Sequence, residues 1–186
     1  MSIESENHGS IVPSAVYTAN SEKWTFQDNT VRSWVEKRLR GDVLNACAGE
    51  TELHHDGNIH RNDVNEDRPA DTHYNLKELH KHISQTFDTV VYDPPWSVFQ
   101  VNDKYDGRGQ DTIKQSTLMA KAIDELTTSG SVVLGFGYTV NMLPTTLNFD
   151  LTEVAVFTIP GPGKDFFGSV HVKKNRTLDE FDGGES

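Results

Sequence analysis

Cysteine, positive charge and long apolar runs are all scarce in this chain. The single cysteine, Cys47, excludes an internal disulfide framework and any cysteine-rich zinc site. No apolar stretch approaches the roughly 20 residues that a membrane-crossing helix needs. The opening Met1 to Ser10 carries Glu4 and Glu6 in place of a basic start and an apolar segment, so no secretory signal and a cytoplasmic location are expected. Against 28 Asp and Glu stand 17 Lys and Arg, a net charge of −11. Proteins that grip polyanions usually carry a basic excess, because Lys and Arg displace counterions from phosphates. The opposite balance points either to a ligand other than nucleic acid or to a solvent that screens the repulsion. At about 1 M salt the Debye length is about 3 Å, and an acidic surface of this kind is the expectation for a halophilic source. Hydrophobic residues make up 35% of the 186, which is low but sufficient for one domain with a sizeable core.

What is present alternates in character along the chain. Residues 1–22 are polar and aperiodic and read as a flexible tail, and 179–186 as an acidic one, leaving 23–178 as the folded domain. Asp28-Asn29-Thr30 offers helix-capping residues before Val31, Trp34, Val35 and Leu39 at helical spacing, with Gly41 as the stop. Asp42 to Gly49 reads as a buried strand running into a tight turn. Ile59 to Asn65 is a weaker strand, Asp71 to Tyr74 a brief third element, and Leu76 to Ile83 a helix. Phe87 to Tyr92 is a strand that two prolines stop at Asp93-Pro94-Pro95-Trp96. After a long loop, Thr117 to Leu126 is an amphipathic helix and Ser131 to Phe136 a buried strand. Thr152 to Ile159 and Phe166 to Val172 form a hairpin across Pro160-Gly161-Pro162-Gly163 and add an antiparallel edge. Strands alternating with helices predict an α/β fold, a mostly parallel sheet with helices on both faces and ligands at the carboxyl ends of the strands.

Asp93-Pro94-Pro95-Trp96 carries the most chemistry. The exocyclic amine of an aromatic base is a poor nucleophile, because its lone pair is delocalised into the ring. An enzyme that alkylates it must accept hydrogen bonds from the amine and aim the nitrogen. Asp93 supplies a carboxylate, the Pro94 carbonyl is left as a second acceptor, and Trp96 offers a face on which a flipped base can stack. A strand followed by Asp-Pro-Pro-Trp resembles the catalytic motif of S-adenosylmethionine-dependent amino-methyltransferases acting on adenine N6 or cytosine N4 of nucleic acids, and the Trp form is similar to the adenine branch. The resemblance implies a Rossmann-like class I methyltransferase fold with a mostly parallel seven-stranded sheet and an antiparallel last strand.

The same resemblance extends to the cofactor side. Val43 to Thr51 resembles the family's cofactor-binding turn, with Asn45 and Ala46 at the strand end and Gly49 matching a family glycine; Glu50-Thr51 stands where a second glycine is usual. It implies that Asp63 accepts hydrogen bonds from the cofactor ribose and Asp71 from its adenine amine. It covers about Trp24 to Arg176 and leaves no length for a separate target-recognition domain. Base recognition is then expected from the Ser97–Lys114 loop, with Lys104, Tyr105 and Arg108, or from a partner chain. Phe136 or Tyr138 would wall the substrate pocket, Phe136 being the named candidate. Six histidines between His54 and His82 lack metal-ligand spacing, so no metal is expected. The expected activity is methyl transfer to a DNA or RNA base amine, adenine N6 first. The rivals are an enzyme acting on a small molecule or protein amide, favoured by the acidic charge, and an inactive methyltransferase-like scaffold, favoured by the altered Gly49-Glu50-Thr51 turn.

Overall fold

The computed structural model describes residues 12–96 and 115–175. A seven-stranded sheet forms its centre, with strands β1 (Val12–Thr18), β2 (Val43–Asn45), β3 (Ile59–Arg61), β4 (Phe87–Tyr92), β5 (Thr127–Gly137), β6 (Phe149–Thr158) and β7 (Phe166–Lys173). The spatial order is β1-β6-β7-β5-β4-β2-β3. Every neighbouring pair is parallel except β5–β7 and β6–β7, so β7 alone runs against the rest. This is the Rossmann-like methyltransferase fold.

Two expectations about the sheet need correction. Residues 1–22 are not wholly a tail: Val12–Thr18 is a strand, parallel to β6, and Ala19 continues the pairing by donating its N–H to the Thr158 carbonyl at 3.0 Å. The β6–β7 hairpin is not an edge either, because β7 inserts between β5 and β6, and β1 covers β6. The strand count of seven is therefore reached by a different route. The brief element Asp71–Tyr74 shrinks to one bridge between Asn62 and Thr72, and β1 takes the vacant number at the opposite edge.

Helices cover both faces. α1 (Asn29–Glu36) buries Val31, Trp34 and Val35 against Phe136 and Phe157, giving one face an aromatic core. It starts where Asp28 accepts the N–H groups of Thr30 and Val31 at 2.8 and 3.0 Å, a capping bond worth about 1 kcal/mol. The same carboxylate accepts both Asn20 nitrogens, at 2.9 and 3.0 Å, and so ties the segment after β1 to the helix. Burial alone would raise the Asp28 pKa, but these four hydrogen bonds outweigh it and hold the group below its ordinary value. The helix stops at Glu36, earlier than its Gly41 signal. Gly41, at φ +56°, instead packs directly beneath the Asp88 carboxylate, where a Cβ would lie 1.9 Å from Oδ2.

On the other face, α2 (Ser116–Glu125) and a 3-10 helix at Leu76–Lys81 bury Met119, Ile123, Leu76 and Leu79 against Leu44, Val90 and Val133. Lys173 of β7 anchors the end of α2. Its ammonium pairs with Asp124 at 2.8 Å and donates to the Thr127 carbonyl at 2.9 Å. Both charges are nearly enclosed, so losing one partner would strand the other.

Candidate active site

Two turns meet at the carboxyl ends of the central parallel strands, where open α/β sheets place their ligands. After β2 the chain bends through Cys47 to Thr51, with Gly49 at φ +56°. Among the described residues other than its chain neighbours, only Trp24 comes within 4 Å of where a Gly49 side chain would begin, its ring carbon Cε3 lying at 3.8 Å, so the backbone here is open to close approach. Asp63 supports the turn from behind. Its Oδ2 accepts the Gly49 N–H at 2.8 Å and its Oδ1 the Asn65 N–H at 2.9 Å, and the residue is only 4% exposed. Arg61 donates to the Gly49 carbonyl at 3.2 Å, and Glu50 pairs with Arg68, whose guanidinium lies 4.8 Å from the Trp24 ring centre.

The second turn follows β4, an almost wholly buried strand. In Asp93-Pro94-Pro95-Trp96 neither proline can donate to an acidic side chain. The Trp96 indole N–H donates instead, to Asp93 Oδ1 at 3.1 Å. The indole ring packs 5.0 Å from Phe166 and 5.0 Å, edge-on, from Tyr138.

One small cleft, of about 40 Å³, is lined by both turns together with Lys23 to Phe26. A wider one, of about 360 Å³, shares the Pro94-Pro95-Trp96 segment and is walled besides by Tyr92, Tyr138, Asn141 and Met142. Pro94, Pro95 and Trp96 thus border both clefts, and Asp93 the first.

The expected site residues divide accordingly. Gly49 and Asp93 to Trp96 line the first cleft together. Asn45, Ala46 and Asp63 are buried behind its wall. The Asp63 carboxylate, expected to face a ribose, is engaged with backbone. Asp71 is exposed beside edge strand β3, where its Oδ2 accepts the Arg61 N–H at 2.7 Å. Phe136 is misplaced as a substrate contact: it is fully buried, 5.3 Å from Phe26 and 5.7 Å from Trp34, beneath α1. Tyr138, just past the end of β5 and 40% exposed, walls the wider cleft in its stead. Lys104, Tyr105 and Arg108 lie outside the described residues. Cys47 is half-buried and lines the first cleft. Burial raises its thiol pKa well above the ordinary value, with the Asp63 and Asp93 carboxylates adding to the rise, which favours the protonated thiol over the nucleophilic thiolate.

The residues that sequence reasoning missed are Lys23 to Phe26, assigned no role beside a polar tail. The available signal was two aromatic residues, Trp24 and Phe26, set two apart and just ahead of a helix cap. Among the described residues no group of His, Cys, Asp and Glu is placed to hold a metal, and no helix is long and apolar enough to cross a membrane.

Neither a family model nor a curated protein matches the chain. Solved structures do. TrmN from Thermus thermophilus superposes with a TM-score of 0.57 at 12% identity, covering 78% of this chain and 49% of its own. A Clostridium thermocellum protein assigned as an rRNA methylase gives a TM-score of 0.51 at 9% identity, covering 82% of this chain and 99% of its own. At these identities the likeness is one of fold. The chain spans about half the length of the Thermus protein.

Proposed function

We propose that the protein is an S-adenosylmethionine-dependent methyltransferase acting on the exocyclic amine of a nucleic-acid base, adenine N6 in the first instance. The observation that carries the reading is the meeting of two clefts at one turn. The Pro94-Pro95-Trp96 segment borders both a cleft floored by a glycine turn, which Asp93 also lines, and a second, wider cleft walled by aromatic residues. Group transfer needs a donor and an acceptor held on either side of one point, and holding them there supplies much of the rate.

The residues of the first cleft fit the cofactor. Gly49 presents open backbone, and Asn45, 1% exposed at the end of β2, has both side-chain polar atoms without a partner. Buried amides are ordinarily satisfied, so Asn45 is suited to fixing a polar ligand or ordered water beneath the turn. When bound, the cofactor supplies an electrophilic methyl group on its sulfonium. Asp93 then accepts hydrogen bonds from the target amine, with the Pro94 carbonyl as second acceptor, and so turns the nitrogen toward the first cleft. Trp96 and Tyr138 flank the entering base. Asp63 acts by shaping the Gly49 turn. Asp71 and the 97–114 residues Lys104, Tyr105 and Arg108 are proposed as outer contacts to the cofactor and the nucleic acid, with a partner chain as the other source of target recognition.

A second reading, an inactive scaffold of the same fold, is favoured by one observation. Glu50 replaces a family glycine and is locked to Arg68, and Asp63 already spends both oxygens on backbone. Incubation with methyl-labelled cofactor and adenine-containing DNA or RNA, followed by nucleoside analysis, separates the readings. Label in N6-methyladenine is expected. Label only in a small amine or protein amide would move the substrate class, and cofactor binding without transfer to any of them would leave the scaffold.

A further inference from the structure

The turn Pro160-Gly161-Pro162-Gly163-Lys164 between β6 and β7 has no part in the chemistry proposed above, yet it is built to hold one side chain in place. Its two prolines have fixed φ angles. Gly163 folds back onto Ile159 so closely that a Cβ there would lie 2.0 Å from the Ile159 Cγ2. Asp165 closes the turn, its Oδ1 accepting the Ile159 N–H at 2.8 Å. Lys164 therefore projects from a stiffened turn. Its Nζ lies 5.6 Å from the centre of the Tyr138 ring, within cation–π range.

That places the ammonium beside the clefts. Lys164, Trp96 and Tyr138 line a cavity of about 200 Å³, and Trp96 and Tyr138 also wall the wider cleft. Among the described residues, Lys23 and Lys164 are the cations that line these cavities and the first cleft. The Lys164 ammonium has no carboxylate partner among the described residues. The ring contact engages its charge and leaves N–H donors for an anion. A base drawn out of its stack into a pocket keeps its phosphates at the mouth, and a cation beside aromatic walls is the pattern that binds single strands.

We infer that Lys164 is a phosphate contact for the substrate: docked on Tyr138, its ammonium donates to a phosphodiester oxygen next to the base that enters the wider cleft. A polynucleotide strand, and not a free nucleoside or small amine, is then the class of substrate this site takes. The inference rests on the proposed methyl transfer for the base in the cleft, and on the placement of Lys164 for the phosphate. Glu22, the one carboxylate lining the same cavity among the described residues, opposes that contact, so its removal must act in the opposite sense.

The test is fluorescence anisotropy of a labelled single-stranded oligonucleotide containing adenine, titrated with the protein across potassium chloride concentrations. One phosphate contact on a single strand contributes a slope of about 0.7 in log K against log salt, so Lys164→Gln should bind about fivefold more weakly at about 0.1 M salt and converge with wild type near about 1 M. The loss should be uniform across sequences. Lys164→Arg should keep the wild-type slope, and Glu22→Gln should tighten binding at low salt. Lys121→Gln, an exposed cation on α2, is the control for net charge and should match wild type. Coincident salt curves for wild type and Lys164→Gln overturn the inference, as does an equal loss in Lys121→Gln or a wild type that binds no oligonucleotide. Methyl transfer to the same oligonucleotide is read separately. A strand that binds through Lys164 but receives no methyl group sinks the function reading and leaves the contact standing. A strand that is methylated with no loss of binding in Lys164→Gln sinks the contact alone.

Discussion

The two turns that meet in the cleft are built in opposite ways. At Gly49 the backbone is the working surface and a side chain, Asp63, is spent holding it: both carboxylate oxygens accept backbone N–H groups, and the residue is out of reach of solvent. At Asp93 the proposed working group is the side chain, and two prolines stiffen the backbone that carries it. The two aspartates, which follow β3 and β4 on either side of β2, are therefore proposed to do different work. In the proposed reading the one expected to touch the cofactor shapes the Gly49 turn, and the one expected to touch the substrate lines the first cleft. A carboxylate with both oxygens on local backbone is part of the scaffold.

Removing the working carboxylate should give the largest effect and should spare the fold. Asp93→Ala is expected to lower methyl transfer by about 10²–10⁴-fold, the span for a positioned proton acceptor, with cofactor-induced thermal stabilisation intact. Asp93→Asn should retain part of the activity, since an amide oxygen still accepts a hydrogen bond. Transfer at the wild-type rate by Asp93→Ala would place the chemistry elsewhere and raise the scaffold reading.

Removing the structural carboxylate should reverse that profile. Asp63→Ala leaves the Gly49 and Asn65 N–H groups buried without an acceptor, at a cost of about 3 kcal/mol, or about 6–12 °C in Tm for a chain of this size. Cofactor binding should weaken as the turn loosens, measured as the loss of ligand-induced Tm shift. Asp63→Asn, which keeps one oxygen, should lose less. A protein with wild-type Tm that merely fails to bind cofactor would show that Asp63 contacts the ligand directly after all, and the contrast between the two turns would collapse.

How much of this was legible in the sequence follows the range of the interactions involved. β4 and its stop are local facts, an apolar run ended by two prolines, and they stand as read. The Gly49 turn was also legible, because φ > 0 has a strong residue preference. β1 was not. Its segment carries Pro13 and Ser14 and no clear alternation, and it becomes a strand only through β6, more than 130 residues away. Phe136 failed for another reason. Its position at a strand end was read correctly, but the face it occupies depends on α1 and Phe157, which the pattern of β5 does not encode. The role of Asp63 is illegible for the same cause: an acidic residue after a strand looks alike whether it faces ligand or backbone.

Acid behaviour can sharpen the comparison, provided loss of fold is separated from loss of Asp93 function. His171 on β7 is the group to control for. Burial lowers its pKa from 6.5 to about 4, against a smaller opposing hydrogen bond to the Val140 backbone. Well above pH 6.5 the ring is neutral in both folded and unfolded chains and contributes no pH dependence. As pH falls from there toward 4, the unfolded chain takes up a proton that the folded one refuses, so stability drops, by about 3 kcal/mol at most. Chemical denaturation across this range should show stability rising with pH, and His171→Gln should flatten the slope. An acid limb in activity that persists in His171→Gln belongs to the site. One that vanishes with the slope belongs to the fold.

The smallest effect on stability is expected at Asn45, and it tests the contrast from the cofactor side. This residue lies one strand end away from Asp63 and is equally buried, yet its amide makes no hydrogen bond to the protein. If Asp63 is scaffold, Asn45 is its opposite, a polar group the fold does not use. Asn45→Ala removes an amide whose desolvation is uncompensated, which offsets the packing lost with it, so Tm should correspond to a change within about 1 kcal/mol of wild type. The thermal shift produced by saturating S-adenosylmethionine, or by its demethylated product, should shrink markedly, because the group that the empty fold leaves unsatisfied is the one a bound ligand or its ordered water can satisfy. Equal shifts in Asn45→Ala and wild type would show that the amide is idle in both states. A large loss of Tm without ligand would show that Asn45, like Asp63, supports the turn, and the division between scaffold and site would then fall at Gly49 itself.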